Sequence, residues 1–166
     1  MNFTLEEKGP FSREYLSLGA RTFLEALEWT HALPFGRNSD RTNFELIFTE
    51  KRGTCSTKHA ALGALTLEMR APAILKLAFH LKKFDRFLLP EAHVYLALPD
   101  EKIDITIPGS DGKLHIEILE EHNILPSEIG ERKSMMHELY LKRWLKSHPE
   151  IPLSAEEILK LREQRF

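Results

Sequence analysis

Residues 73–84 alternate strictly, with Leu75, Leu77, Phe79 and Leu81 on one parity and Lys76, Ala78, His80 and Lys82 on the other. A period of two predicts a strand with one buried face, and Pro72 blocks any helix running in from upstream. Residues 90–98 predict a second strand, with Val94, Leu96 and Leu98 opposite His93, Tyr95 and Ala97. Pro99-Asp100-Glu101-Lys102 carries the turn chemistry of a hairpin. Residues 102–107 then predict a third strand, placing Ile103, Ile105 and Ile107 on one face and Asp104 and Thr106 on the other. Closing the hairpin at 99–102 pairs residue 98 with 103 and 97 with 104. His93 and Asp104 then lie on adjacent strands but out of register, so a bulge or a twisted pairing is needed to join them. Residues 115–119 predict a further strand.

Helical periods occupy the rest of the chain. Ser12 reads as the cap of a helix reaching about Thr30, with Tyr15, Leu16, Leu18, Phe23, Leu24, Leu27 and Trp29 as its apolar positions. Pro34 and Gly36 end that region. Residues 44–49 are an apolar segment closing at Glu50-Lys51-Arg52, and Gly53-Thr54 supplies a turn and cap before a helix rich in Ala and Leu that begins at Cys55. Pro126 precedes a helix from Ser127 or Glu131 to Lys146. Its expected stripe is Met135, Met136, Leu139, Tyr140, Trp144 and Leu145, with the methionines as core filler. Ser154 and Glu157 form a capping box for a last helix over 155–165.

Composition narrows the function classes. The 166 residues suffice for one domain, with a core at about 44–107 and a helical C-terminal part at about 126–166. A net charge of −2 with both signs interleaved gives no reason to expect nucleic acid, and Lys82, Lys83 and Arg86 read as a solvated edge. Residues 1–9 lack a basic stretch followed by an apolar run, and no apolar stretch reaches membrane length, so neither export nor a membrane is expected. A single cysteine precludes an internal disulfide and fits a reducing cytoplasm.

That cysteine is the chief chemical candidate. In Arg52-Gly53-Thr54-Cys55-Ser56-Thr57-Lys58-His59-Ala60 it opens a helix, where the macrodipole and free N–H groups favour thiolate. His59, one turn on, is either a second candidate base or a side chain packed beneath the thiol. Arg37 and Asn38 lie in a turn-rich loop, either supplying an oxyanion donor or substrate clamp or forming an ordinary connection. His31, His80, His115, His122, His137 and His148 show no ligand spacing, so no metal and no cofactor are expected.

Cysteine opening a helix, histidine on one strand and aspartate on the next resembles the transglutaminase-like core, a branch of the papain-like thiol enzymes. The matching pieces are Gly53-Thr54-Cys55-Ser56-Thr57-Lys58-His59-Ala60, Glu91-Ala92-His93-Val94-Tyr95-Leu96 and Ile103-Asp104-Ile105-Thr106, and Tyr95 stands where many relatives carry tryptophan. The resemblance implies Cys55 as nucleophile, His93 as base and acid, and Asp104 as the group orienting the imidazole. The expected fold is α+β: a small antiparallel sheet packed against the nucleophile's helix, a papain/transglutaminase-like core with flanking helices. The expected activity is hydrolysis of an amide or peptide-type bond, or acyl transfer to an amine, on a peptide, protein or small amide. The alternative is a non-catalytic binding domain of the same fold.

Overall fold

The alternation in residues 73–84 becomes the long strand β1, Ile74–Phe84, in a computed structural model that describes residues 1–164. It pairs antiparallel with β2, Phe87–Ala97, in unbroken register from Ile74 opposite Ala97 to Phe84 opposite Phe87. Asp85 takes the left-handed conformation (φ 55°) that a two-residue hairpin demands. β3, Lys102–Ile103, lies outside β2, and β4, Glu120–Asn123, lies outside β1, giving the antiparallel order β3-β2-β1-β4.

The third strand is shorter than residues 102–107, and its register differs from expectation. Leu96 pairs with Ile103 and Ala97 with Lys102. The turn closes through Leu98 N–H to Glu101 O (2.8 Å). Beyond Ile103 the chain leaves the sheet, because the following loop folds back on it. Asp104 N–H donates to Gly112 O (2.9 Å) and Leu114 N–H to Lys102 O (3.2 Å), so these backbone groups bond to the loop instead of to β2. Ile105 turns into the core while Ile107 is exposed. Residues 115–119 form no ladder. Leu119 N–H reaches Phe79 O (2.8 Å), and pairing with β1 proper starts one residue later.

Six α-helices surround this sheet among the described residues. The expected helix from Ser12 to Thr30 is two, α1 (Pro10–Ser17) and α2 (Phe23–Ala32). They are divided at Gly19, whose φ of 94° ends the first, and by Thr22, which caps the second in a box with Glu25. Ser12 is therefore not the cap. It sits inside the first turn, where its Oγ accepts from Gly9 N–H at 3.0 Å. The apolar segment 44–49 contributes the short α3, Leu46–Glu50.

α4, Cys55–Glu68, is the central element, and its residues from Ser56 to Thr66 are buried on every side. Ala60, Ala61, Gly63 and Ala64 keep it narrow enough for α1, α2 and α3 to pack around it while it also lies against β1 and β2. Leu62 and Leu65 share one core with Leu75, Leu77, Phe79, Val94 and Leu96. α5 is Glu131–Leu145, following a 3₁₀ turn at Pro126–Glu128, and α6 is Ala155–Glu163. Arg165, the expected end of the last helix, lies outside the described residues. Leu141, Ala155 and Ile158 build a second cluster with Phe84 and Leu89 of the hairpin.

The stripe of α5 also needs correction. Met135 and Leu139 are exposed, whereas Lys133, His137, Tyr140 and Leu141 are buried. Met136 alone of that methionine pair packs on the core. The helix thus turns a polar half-stripe inward over its first two turns.

The carboxylate of Glu68, at the end of α4, accepts from the N–H groups of Phe11 (2.9 Å) and Ser12 (2.7 Å) and so caps α1 from a distance. Glu68→Ala should lower unfolding free energy by about 1–2 kcal/mol. Urea denaturation followed by far-UV circular dichroism measures it, and an unchanged midpoint would refute the cap.

Candidate active site

The turn before Cys55 is laced to the loop after α2. Gly53 N–H donates to Pro34 O and Gly36 N–H donates to Gly53 O, both at 3.1 Å. A Cβ on Gly53 would stand 2.9 Å from both Lys58 Cγ and Thr57 Oγ1, so the close approach requires glycine. Thr54 caps α4: its N–H donates to Thr57 Oγ1 at 3.0 Å, and its Oγ1 faces Thr57 N–H at 3.5 Å. Cys55 is thereby fixed as the first helical residue, half-buried at the floor of a cleft of about 860 Å³.

His93 projects from β2 into the same cleft. Its Nε2 lies 2.9 Å from Asp104 Oδ2, which leaves Nδ1 for another partner, and the imidazole and Val94 N–H both favour the thiolate of Cys55. Neither a bulge nor a twisted ladder brings Asp104 there. The departure of the chain from the sheet after Ile103 does. Asp104 Oδ1 accepts from Thr106 N–H (3.0 Å) and Thr106 Oγ1 (2.5 Å), a local turn that locks the carboxylate while Oδ2 faces the ring.

Charges in this site are set by burial competing with neighbouring charges. Burial alone would raise the Cys55 thiol, but the ammonium of Lys133 and then the imidazolium of His93 outweigh it and bring the thiol down to about 5. Burial would likewise strip His93 of its proton, yet the Cys55 thiolate and Asp104 raise it to about 10. The two titrations belong to the pair, whose resting form is thiolate and imidazolium. Asp104 resists burial by its bond to His93 and is held well below the usual carboxylate range.

Two residues next to Cys55 in the helix are built into the scaffold. His59 Nδ1–H donates to Cys55 O (2.7 Å) and Nε2 accepts from Ile105 N–H (3.0 Å). Its burial lowers it to about 4 and keeps the ring neutral, so both nitrogens are spent on backbone and His59 packs beneath the thiol. Lys58, fully buried, points its ammonium at four carbonyls: His31 (3.5 Å), Leu33 (2.5 Å), Ile105 (3.2 Å) and Thr106 (3.1 Å).

Of the loop residues singled out from sequence, Arg37 lines the cleft and Asn38 does not. Asn38 is buried, with Nδ2 donating to Glu50 Oε2 and Arg52 O (both 3.0 Å), which commits its amide to the loop itself. The sequence reading missed the opposite wall, where α5 contributes Lys133 and His137 and α6 contributes Leu159 and Arg162. Arg162 pairs with Glu91 of β2, two residues before His93. His80, opposite Glu91 on β1, sets its ring edge-on to His93 at 5.9 Å. Lys133 and His137, one turn apart where an amphipathic helix should present apolar residues, were the visible signal. Among the described residues, no three His, Cys, Asp or Glu side chains gather as metal ligands. No helix among them is long and apolar enough to cross a membrane.

No family model, no curated protein and no solved structure matches the chain.

His59→Ala should destabilise the protein by about 2–4 kcal/mol, because the Ile105 N–H loses its acceptor and a buried cavity opens. The pH midpoint for thiol modification should stay with His93. A urea titration checks the first claim, and a midpoint moved as far as by His93→Ala would overturn the second.

Proposed function

We propose that this protein is a cofactor-free, transglutaminase-like thiol enzyme that hydrolyses an amide or peptide-type bond through Cys55, His93 and Asp104. The observation that carries the reading is the juxtaposition of three groups: Cys55 at the first turn of α4, its thiolate favoured by His93, whose Nε2 meets Asp104 at 2.9 Å. The thiolate attacks the carbonyl carbon, His93 gives its proton to the leaving amine, and Asp104 holds the ring in the tautomer that both steps need. Water then resolves the thioester, with an amine as the alternative acceptor. A cleft of about 860 Å³ suits a peptide segment or a small amide in extent, and its walls mix apolar groups with both charge signs. A thiol this ionised is easily oxidised, which favours work in the reducing cytoplasm.

The single thiol makes the test direct. Native protein should alkylate with iodoacetamide at pH 6, where a free thiol is about 0.3% ionised. Reactivity should rise through about pH 5 as the sulfur ionises, and turnover should fall through about pH 10 as His93 loses the proton it must donate. His93→Ala should shift the alkylation profile to higher pH, and Asp104→Asn should shift it less. A wild type that reacts only above pH 8 would sink the catalytic reading in favour of a binding domain.

A further inference from the structure

The N–H groups of the first helical turn have no acceptors within the helix, but a carbonyl oxygen that gains full negative charge needs more than one such donor. Of the two loop candidates from the sequence, Arg37 lines the cleft and Asn38 is committed elsewhere. Lys133 is not. Its side chain rises from the first turn of α5, only 9% exposed, on the wall of the cleft that faces Cys55. Nζ donates to Ser56 Oγ at 2.6 Å, and that oxygen stands 3.9 Å from Cys55 Sγ.

The counter-charge of this ammonium is unusual. Among the described residues, no carboxylate forms an ion pair with Lys133, and the nearby Glu91 gives its Oε1 to Arg162. Burial presses Lys133 toward the neutral amine, and Arg162 and Arg41 repel it as well. A buried cation without a carboxylate costs several kcal/mol unless some other anion is present. The thiolate of Cys55 ranks first among the attractions on Lys133, ahead of Glu91, whose Oε1 is already engaged by Arg162.

We propose that Lys133 is the oxyanion-binding group of this site, its ammonium oriented by Ser56 to follow negative charge from the Cys55 sulfur to the substrate's carbonyl oxygen. The proposal rests on the thiol-enzyme reading above. In the first step a sulfur electron pair forms the C–S bond and the carbonyl π pair moves onto oxygen, leaving the sulfur neutral and the oxygen negative. The ammonium has lost one anion and gained another within the same small space, so it needs no reorganisation. The pair on oxygen then returns, the C–N bond breaks, and the amine leaves with the proton from His93. When water attacks the thioester, its proton goes to His93, the same oxyanion forms again beside Lys133, and thiolate departs.

Two reagents separate the roles of this cation. Iodoacetamide reacts by displacement at a saturated carbon and needs only thiolate. p-Nitrophenyl acetate acetylates the thiol through a tetrahedral oxyanion. Both rates scale with the ionised fraction, so their ratio cancels any change in thiol acidity. Lys133→Met keeps the buried volume and Lys133→Gln keeps a donor for Ser56, so one serves if the other fails to fold. In either variant the ratio of acetylation to alkylation should fall about 100-fold, the usual loss for one oxyanion donor. Acetyl on Cys55 is confirmed by mass spectrometry against Cys55→Ser. A ratio within about twofold of wild type would overturn the proposal, even if both rates fell together, since Lys133 would then serve the thiolate alone. Wild type that alkylates at pH 6 but resists the ester would overturn it too. Wild type that does neither would instead remove the thiol-enzyme reading beneath it.

Discussion

One buried ammonium holds the arrangement of Cys55, His93 and Asp104 together. Lys58, one turn beyond Cys55, reaches the carbonyls at the end of α2, the turn after it, and the loop that carries Asp104. Those carbonyls are the orphan acceptors that a helix end and an irregular loop leave over, and burial would make each costly without a donor. The lysine reaches all four from the inside, its three N–H groups shared among them. Because it leaves the same helical turn as Cys55, the satisfaction of those loops fixes where Asp104 lies relative to the sulfur. His59, beside it in sequence, repeats the device in neutral form by spanning Cys55 O and Ile105 N–H.

On this frame the charges of the site follow one another with alternating sign: Asp104, His93, Cys55, Lys133. Each is taken out of water, and each alone would be driven to its neutral form. Alternation reverses that outcome, since every member has an opposite charge beside it, and the end groups are anchored by neutral partners, Thr106 at one end and Ser56 at the other. The arrangement is costly to break at any point. Removing one member leaves its neighbour buried and unpaired, so losses along this row should exceed those of ordinary surface charges.

The elements whose logic is local were legible in the sequence. β1 and β2 follow from a period of two, and the start of α4 at Cys55 follows from Gly53-Thr54 and the alanine-rich run behind it. The meeting of Cys55, His93 and Asp104 came from a resemblance in residue order, while hairpin pairing alone left Asp104 out of reach. What closed that gap is a tertiary event. The loop after Ile103 bonds back to β3, so the isoleucine alternation that promised a strand instead buries Ile105 and turns Ile107 outward. The division of α1 from α2 at Gly19 was visible as a glycine but masked by the apolar spacing that continues across it. On α5 the methionines and leucines suggested one stripe. The helix buries Lys133 and His137 instead, because its first turns face a cleft and not a core.

The inward polar face of α5 also governs how the cleft is held. The motif-bearing segment supplies the floor and one wall, and the C-terminal helices supply the other. α6 is tied to the sheet by Arg162 on Glu91 and to the loop after α2 by Glu163 on Arg41 (3.0 Å). Glu91 shares a face of β2 with His93, so the strand that positions the imidazole is braced by the same residue that docks the last helix. Glu91 Oε2 is buried and accepts no hydrogen bond among the described residues, which makes the Arg162 contact the chief compensation for that carboxylate. Loosening α6 would therefore do more than widen the cleft. It would leave a bare buried charge two residues from His93, while also removing Leu159 and Arg162 from the wall opposite Cys55.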